Sequence, residues 1–430
     1  MKKLPFWHYL LWFLGSVALG LALLLLCACL PQGPIDAHVK DAALALNGEG
    51  AYPRVFDTAT TAQLDNYTDA IIMDVSRGTT ASRISSVLTN PVHRGAEDPV
   101  EALAIYAAQE ADARESFFYP RYWMGFRVLT RAALVFLNYL QIRRYLGFLL
   151  LGLMLLTVLS VAGHADRRAA FLFGLSLLLV RPQVICHSLQ FSCCFFLALL
   201  GMLAIPRLRR KRRWEGLFFM EMGILTMYFD FYTAPLLTFG LPMVYLCLLD
   251  ARERETLSAK RVLADLGLWL GGYVLMWLAK LTLTTVFTSE NAFESGFSTL
   301  LMWAGGKGTG AAPSLMRALQ AVRHAVTVDT PGAFVWAGAL LCALLMLGLC
   351  AGKGRLRRRP LREQGVLLLL ALLPLLWFAA TARPTEAHAW FQYRSIALSY
   401  WALGAWLSLL LPGPGTEKVP AVRTGEGSGG

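Results

Sequence analysis

Long runs of apolar residues alternate with short polar breaks along most of the chain, and this pattern sets the first expectation. A helix that crosses about 30 Å of hydrocarbon needs roughly 20 mostly apolar residues. Runs of that kind lie at about 7–30, 145–163, 187–205, 216–232, 263–287, 333–351, 365–381 and 394–411, with shorter ones at 169–182 and 235–249. The expected fold is all-α: a polytopic transmembrane bundle of about ten spans, the two short ones being candidates for helices that enter only part way. The N-terminal run fits a first membrane helix, 1–30, better than a cleaved signal, because it is longer than the usual signal core. The Leu26-Cys27-Ala28-Cys29 sequence bears only a faint likeness to a lipoprotein cleavage box.

The polar segments complete the plan. Residues 31–144 form one long loop with helical patterns at Thr61–Val75 and Pro99–Glu115, and their 13 acids nearly balance 11 bases. Phe117–Leu140 mixes aromatics with Arg121, Arg127 and Arg131, which favours a helix lying in the interface over a span. The bundle proper is expected over 145–287, a Gly-rich and Ser-rich loop over 288–332, further spans over 333–411, and a Gly-rich disordered tail over 412–430.

Composition agrees: 56% of the residues are hydrophobic, 16% are charged, and the mean hydropathy is +0.50. The net charge of +12 does not point to nucleic acid, because the basic residues sit in clusters between apolar runs. Arg207–Arg213 and Lys353–Arg359 are the clearest examples. Lys and Arg are retained on the cytoplasmic side, so placing every cluster there puts both termini inside and 31–144 outside. Lys280 stands out as a charge well inside a span. The eight cysteines match no zinc pattern and mostly lie in apolar runs, where Cys packs as a small hydrophobe. No phosphate loop, dinucleotide fingerprint, nucleophile elbow or HExxH motif occurs.

Five polar clusters then fall on the outer side. Asp65 and Asp69 are one helical turn apart, a spacing that suits a shared metal or a base whose neighbour tunes its pKa, and equally a capped helix start. A divalent ion, Mg or Mn, is compatible with that pair but not required. Arg121, between Tyr119 and Tyr122, suits a lipid phosphate or a plain headgroup anchor. Arg181-Pro182-Gln183 with His187 and Gln190 lies in the turn between two short spans, where the proline stops the helix and the arginine either aims a cation at the outer cavity or simply snorkels. Asp230, in a turn with Tyr232 and Thr233, fits a sugar, a metal or a capped turn. His388 and Arg394 flank Trp390, Phe391 and Tyr393, aromatics that stack on sugars and also populate interfaces.

This arrangement resembles the GT-C superfamily of membrane glycosyltransferases. The likeness rests on one helix, a long outer loop with an acidic pair, and many following spans over residues 1–411. It is supported by LDNYTDAIIMD (64–74), YPRYWMGFRVLTR (119–131), FDFYTAP (229–235) and HAWFQYR (388–394), which are similar to segments of a bacterial branch. The resemblance implies a lipid-linked sugar donor, a polyprenyl phosphate, and an envelope glycan or lipid acceptor. Transfer would occur at the outer face of the plasma membrane. It also implies that Asp65 or Asp69 acts as base or metal contact, with Arg121, Arg181 and Arg394 on the lipid phosphate. The family's extracytoplasmic soluble domain has no counterpart after the last span. A transporter or flippase of a lipid-linked saccharide and a non-catalytic envelope assembly protein are the alternatives. A transporter would need paired helix breaks and polar groups near the membrane midplane.

Overall fold

The computed structural model describes residues 4–411 except 79–81, 94–95, 109–115, 231, 254, 304–314, 329–346 and 348–360. The expected span at 333–351, the cluster Lys353–Arg359 and the tail 412–430 therefore lie outside the described residues or nearly so. The fold is helical, and five helices are long and apolar enough to cross a membrane, which fits a membrane protein. They are α1 (Phe6–Cys27), α7 (Tyr139–His164), α10 (Leu189–Arg209), α13 (Ala259–Phe287) and α16 (Leu361–Ala380).

Four other expected spans form shorter helices. These are α8 (Arg167–Leu178, 12 residues), α11 (Glu215–Phe229, 15), α12 (Leu236–Arg252, 17) and α18 (Ala397–Leu410, 14). The stops are local: Pro182 opens the four-residue α9 (Pro182–Ile185), and Asp230 begins an extended turn after α11. Helix α12 is buried along nearly its whole length, as expected of a helix that is hydrophobic all round. It forms the centre of the bundle.

The helix ends sort onto two faces. At one face Asp250 of α12 meets Arg209 of α10, Arg212 and Arg261 of α13, while Arg252 pairs with Asp166 before α8. At the opposite face lie the C-terminal ends of α1, α11 and α13 and the N-terminal ends of α7, α10 and α12.

On that opposite face the segment 31–144 folds into α2 (Gln32–Glu49), α3 (Asn66–Arg77), α4 (Arg83–Thr89), α5 (Pro99–Ala108) and α6 (Phe126–Leu134). A small antiparallel pair, β1 (Pro91–His93) and β2 (Ser116–Phe118), had no signature in the sequence. The segment is knitted to the bundle. Gly125 N donates to the Tyr228 carbonyl at 2.8 Å, Tyr228 Oη donates to the Gly20 carbonyl at 2.8 Å, and Trp123 Nε1 donates to the Met276 carbonyl at 2.7 Å. A Cβ on Gly125 would overlap the Tyr228 ring, so only glycine fits there.

Two of the three arginines of the expected interfacial helix, Arg127 and Arg131, turn inward, not toward lipid headgroups. Arg131 is 2% exposed and donates to the carbonyls of Cys27 (3.0 Å), Ser76 (2.6 Å) and Arg77 (2.5 Å), the last turns of α1 and α3. Arg127 donates to the Ser86 carbonyl at 3.0 Å, and Lys280 to that of Leu88 at 2.7 Å, both near the end of α4. The last carbonyls of a helix lack intrahelical donors and carry the negative end of its dipole. Three buried cations therefore satisfy three helix ends, and this explains Lys280. Two acids within spans escaped the sequence analysis: Asp265 in α13, and Glu221 in α11, whose Oε2 accepts from Trp12 Nε1 at 2.7 Å and Ser16 Oγ at 3.0 Å of α1.

Arg131→Met should lower stability by about 3 kcal/mol, because several buried carbonyls lose their donor at once. Thermal unfolding of the purified protein in detergent checks this; an unchanged midpoint would remove Arg131 from the framework.

Candidate functional site

Three further helices frame the site: α14 (Ala292–Trp303), α15 (Leu315–Thr327) and α17 (Ala382–Gln392), the last packed on α15 and running into a 3-10 turn, Tyr393–Ile396. Helix α3 begins at Asp65, whose Oδ1 accepts from Thr68 N at 3.1 Å and whose Oδ2 accepts from Thr68 Oγ1 at 2.9 Å. Asp65 thus caps the helix, but it does so 4% exposed. Burial raises its pKa to about 6, against the smaller opposing effects of the Thr68 hydrogen bonds and the nearby Arg394 charge. At neutral pH it is mostly ionised and basic enough to take a proton.

Asp69, one turn on, is fully buried and already engaged. Its Oδ2 accepts from Tyr139 Oη at 2.9 Å and Leu189 N at 3.3 Å, and its Oδ1 accepts from Gln190 N at 3.2 Å. Leu189 and Gln190 are the first residues of α10, so Asp69 satisfies orphan donors of that helix and meets its positive end. Burial raises its pKa to about 7; the Tyr139 hydrogen bond opposes the rise and the Asp65 charge adds to it. The two carboxylates take different partners, and three donors already occupy Asp69. This donor set does not fit a divalent ion shared by the pair. Among the described residues no three His, Cys, Asp or Glu side chains converge as a metal site.

The structure brings Arg394 to Asp65 and Arg181 to Arg394, from distant parts of the sequence. Arg394 is fully buried, lies over the Phe191 ring at 4.3 Å, and donates one hydrogen bond, 3.2 Å, to the Thr61 carbonyl. Its Nε and Nη1 are buried without a hydrogen-bond partner among the described residues. Arg181 is close enough for the two guanidinium charges to repel. It sits in left-handed backbone, φ 59°, and its Nη1 donates to Asp57 Oδ2 at 2.6 Å. Around them stand Tyr52 and Tyr67, stacked at 5.9 Å, and Trp390, edge-on to Tyr52 and to Phe191, each at 5.8 Å. A carboxylate, two guanidiniums and an aromatic wall can together hold a phosphate and stack a sugar ring.

The remaining candidates lie further out. Arg121 stacks over Tyr122 at 4.8 Å and Tyr119 at 5.3 Å, and reaches Ser295 of α14 at 3.4 Å. Its tyrosines continue through Tyr232 to Tyr273 with ring separations of 6.0 and 6.1 Å. Asp230 is buried, and its Oδ2 accepts from Thr233 N at 2.9 Å, as in a capped turn. His187 is exposed, held by the Gln183 carbonyl at 2.7 Å and edge-on to Phe56. His388 is exposed and stacked on Phe391 at 5.3 Å.

Sequence reasoning missed Asp57, Tyr52 and Phe191, none of which carries a spacing signal. It also missed a buried Asp74–His93–Arg77 chain. His93 Nδ1 lies 2.6 Å from Asp74 Oδ1, and His93 Nε2 lies 2.6 Å from Arg77 Nη2. An arginine nitrogen only donates, so Nε2 accepts and Nδ1 carries the proton given to Asp74. With both ring nitrogens engaged, the dyad braces β1 against α3.

No protein-family model, curated protein or solved structure matches the chain.

Asp65→Asn should keep the cap, since Asn serves nearly as well at that position, and remove the burial penalty on the charge. The folded carboxyl titrates at about 6 against 3.8 unfolded. The wild type therefore loses stability as pH rises from 4 to 6, and the loss persists above 6, on the order of 3 kcal/mol. Melting curves from pH 4 to 8 should show the variant less pH-dependent and more stable than the wild type at pH 7.5. A wild-type-like slope would contradict the assignment.

Proposed function

We propose that the chain is a membrane glycosyltransferase of the GT-C kind. It moves a sugar from a polyprenyl-phosphate donor to an envelope glycan or lipid acceptor at the outer face of the cytoplasmic membrane. The observation that carries this reading is a buried carboxylate of raised pKa beside a buried arginine with two unsatisfied nitrogens, inside an aromatic wall. Asp65 accepts the proton of the acceptor hydroxyl as its oxygen attacks the anomeric carbon. The bond from that carbon to the phosphate oxygen breaks, and the phosphate leaves with its charge stabilised by Arg394 and Arg181. Asp69 positions this machinery by fixing α3 to α10. Arg121 and the tyrosines beside it stand where a lipid or glycan would approach, and Gln183, His187, Asp230 and His388 flank the same face.

The reading includes about ten spans with both termini cytoplasmic. Its support is that Arg209, Arg212 and Arg261 gather at the face opposite Asp65. A transporter gains less support, because two of the three charged groups noted within expected spans serve packing: Glu221 binds α1, and Lys280 binds α4.

Asp65→Asn should reduce sugar transfer by about 100-fold or more without loss of fold, the range general-base removal produces. Arg394→Gln should weaken donor binding. Consumption of a synthetic polyprenyl-phosphate sugar by purified protein measures both, and full activity in Asp65→Asn would reject the mechanism. In a background with the eight native cysteines replaced by serine, cysteine placed at the exposed Thr58 should react with an impermeant maleimide on intact cells; reaction only after lysis would invert the topology.

A further inference from the structure

Residues 53–62 form a closed strap over the two arginines. Its base is an antiparallel bridge between Arg54 and Gln63, with Val55 N donating to the Ala62 carbonyl at 3.1 Å and Leu64 N to the Pro53 carbonyl at 2.9 Å. Its inner edge gives the Thr61 carbonyl to Arg394, and its tip gives the Asp57 carboxylate to Arg181. The partners of that ion pair are unequally placed: the Arg181 side chain is 3% exposed, whereas that of Asp57 is 37% exposed. The acid thus reaches in from the surface to a cation fixed inside.

From this geometry we infer that the strap is a latch: Asp57 occupies on Arg181 the place of an anionic phosphate group, and a phosphate-bearing ligand binds by displacing it. The inference rests on the proposed function for the identity of the ligand as a polyprenyl phosphate, but the displacement itself needs only phosphate chemistry. Three observations converge on it.

Charge is the first. Two buried guanidiniums that repel each other have Asp57 as the acid in direct contact with one of them, and Asp65 is already held by Thr68. Opening the strap takes a counter-charge away from buried Arg181, and an arriving anion makes up that loss. A phosphate brings equal or greater charge and oxygens enough for both arginines.

Hydrogen bonding is the second. Arg394 retains two buried nitrogens without partners beside a strap that offers it only a carbonyl. A closed structure with unsatisfied donors is what a latch with an imperfect stand-in would leave.

Strain is the third. Phe56, next to Asp57 on the strap, has φ 76°, and Arg181 has φ 59°. Neither is glycine, and such backbone is held only where surroundings enforce it. The Phe56 ring, 63% exposed, is edge-on to His187 at 5.4 Å, so the tip carries little apolar burial to hold it shut. Release of the tip relieves the strap; the ion pair restrains it.

The test uses full-length protein in detergent with farnesyl phosphate as the lipid probe and inorganic phosphate as the soluble one. If the latch is closed nine times in ten, Asp57→Asn should bind farnesyl phosphate about tenfold more tightly, because apparent affinity scales with the open fraction. Asp57→Glu, which keeps the acid, should bind near the wild-type level; melting curves confirm that both variants are folded. A nitroxide at Thr58→Cys, in a Cys29→Ser background, should gain mobility when farnesyl phosphate is added and be mobile from the outset in Asp57→Asn. Equal affinity in wild type and Asp57→Asn, or a label unmoved by saturating ligand, overturns the latch. Displacement by inorganic phosphate at similar concentration would retain the latch and assign it to a soluble phosphate. A label released by ligand in a protein that transfers no sugar would keep the latch and reject the transferase. Sugar transfer with an unmoved label would do the reverse.

Discussion

Three buried cations with no buried carboxylate hydrogen-bonded to them among the described residues hold segment 31–144 to the bundle. Arg127, Arg131 and Lys280 find their negative charge in the carbonyl ends of α1, α3 and α4. Because those carbonyls belong to three separate helices, satisfying the cations forces the helix ends together. Once the C-terminal end of α3 is fixed there, its opposite end points into the crevice beside α10. That is how Asp65 and Asp69 reach their places. The catalytic candidates thus depend on contacts at the far end of their own helix.

Asp69 closes the same frame from the other direction. Its carboxylate meets the start of α10 while the α3 carbonyls meet Arg131, so one short helix is clamped at both ends by groups of opposite sign. A carboxylate this constrained suits an orienting group, which holds its neighbour Asp65 in place. It also separates two jobs that the spacing had left joined: Asp69 orients, and Asp65 retains capacity for a proton.

The helical fold and its five helices of spanning length were legible in the sequence because an apolar run of that length is at home in few places but a membrane. The acidic pair of segment 31–144 and the arginines at 181 and 394 drew notice in the sequence as ionisable groups beside apolar runs. What escaped has a common cause. The inward turn of Arg127 and Arg131 depends on which helices end nearby, and an aromatic-arginine mixture reads the same whether it faces lipid or carbonyls. Helices α8, α11 and α12 are short because turns at Arg181 and Asp230 interrupt runs whose hydropathy continues past them. Asp57 was invisible because its partner lies 124 residues away. Glu221 was overlooked for a similar reason: its two donors belong to the first helix.

That last contact bears on how the protein is made. Trp12 and Ser16 leave the ribosome long before Glu221, 209 residues after Trp12, which at ordinary synthesis speeds means roughly 10 to 40 s. The donors can wait at little cost, since a serine in a helix can bond its own backbone meanwhile. A carboxylate lodged alone in hydrocarbon could not wait so cheaply. Chain order therefore has the tolerant partners made first and delivers the intolerant one to a prepared berth, so exchanging α1 for an unrelated helix would leave the acid without either donor.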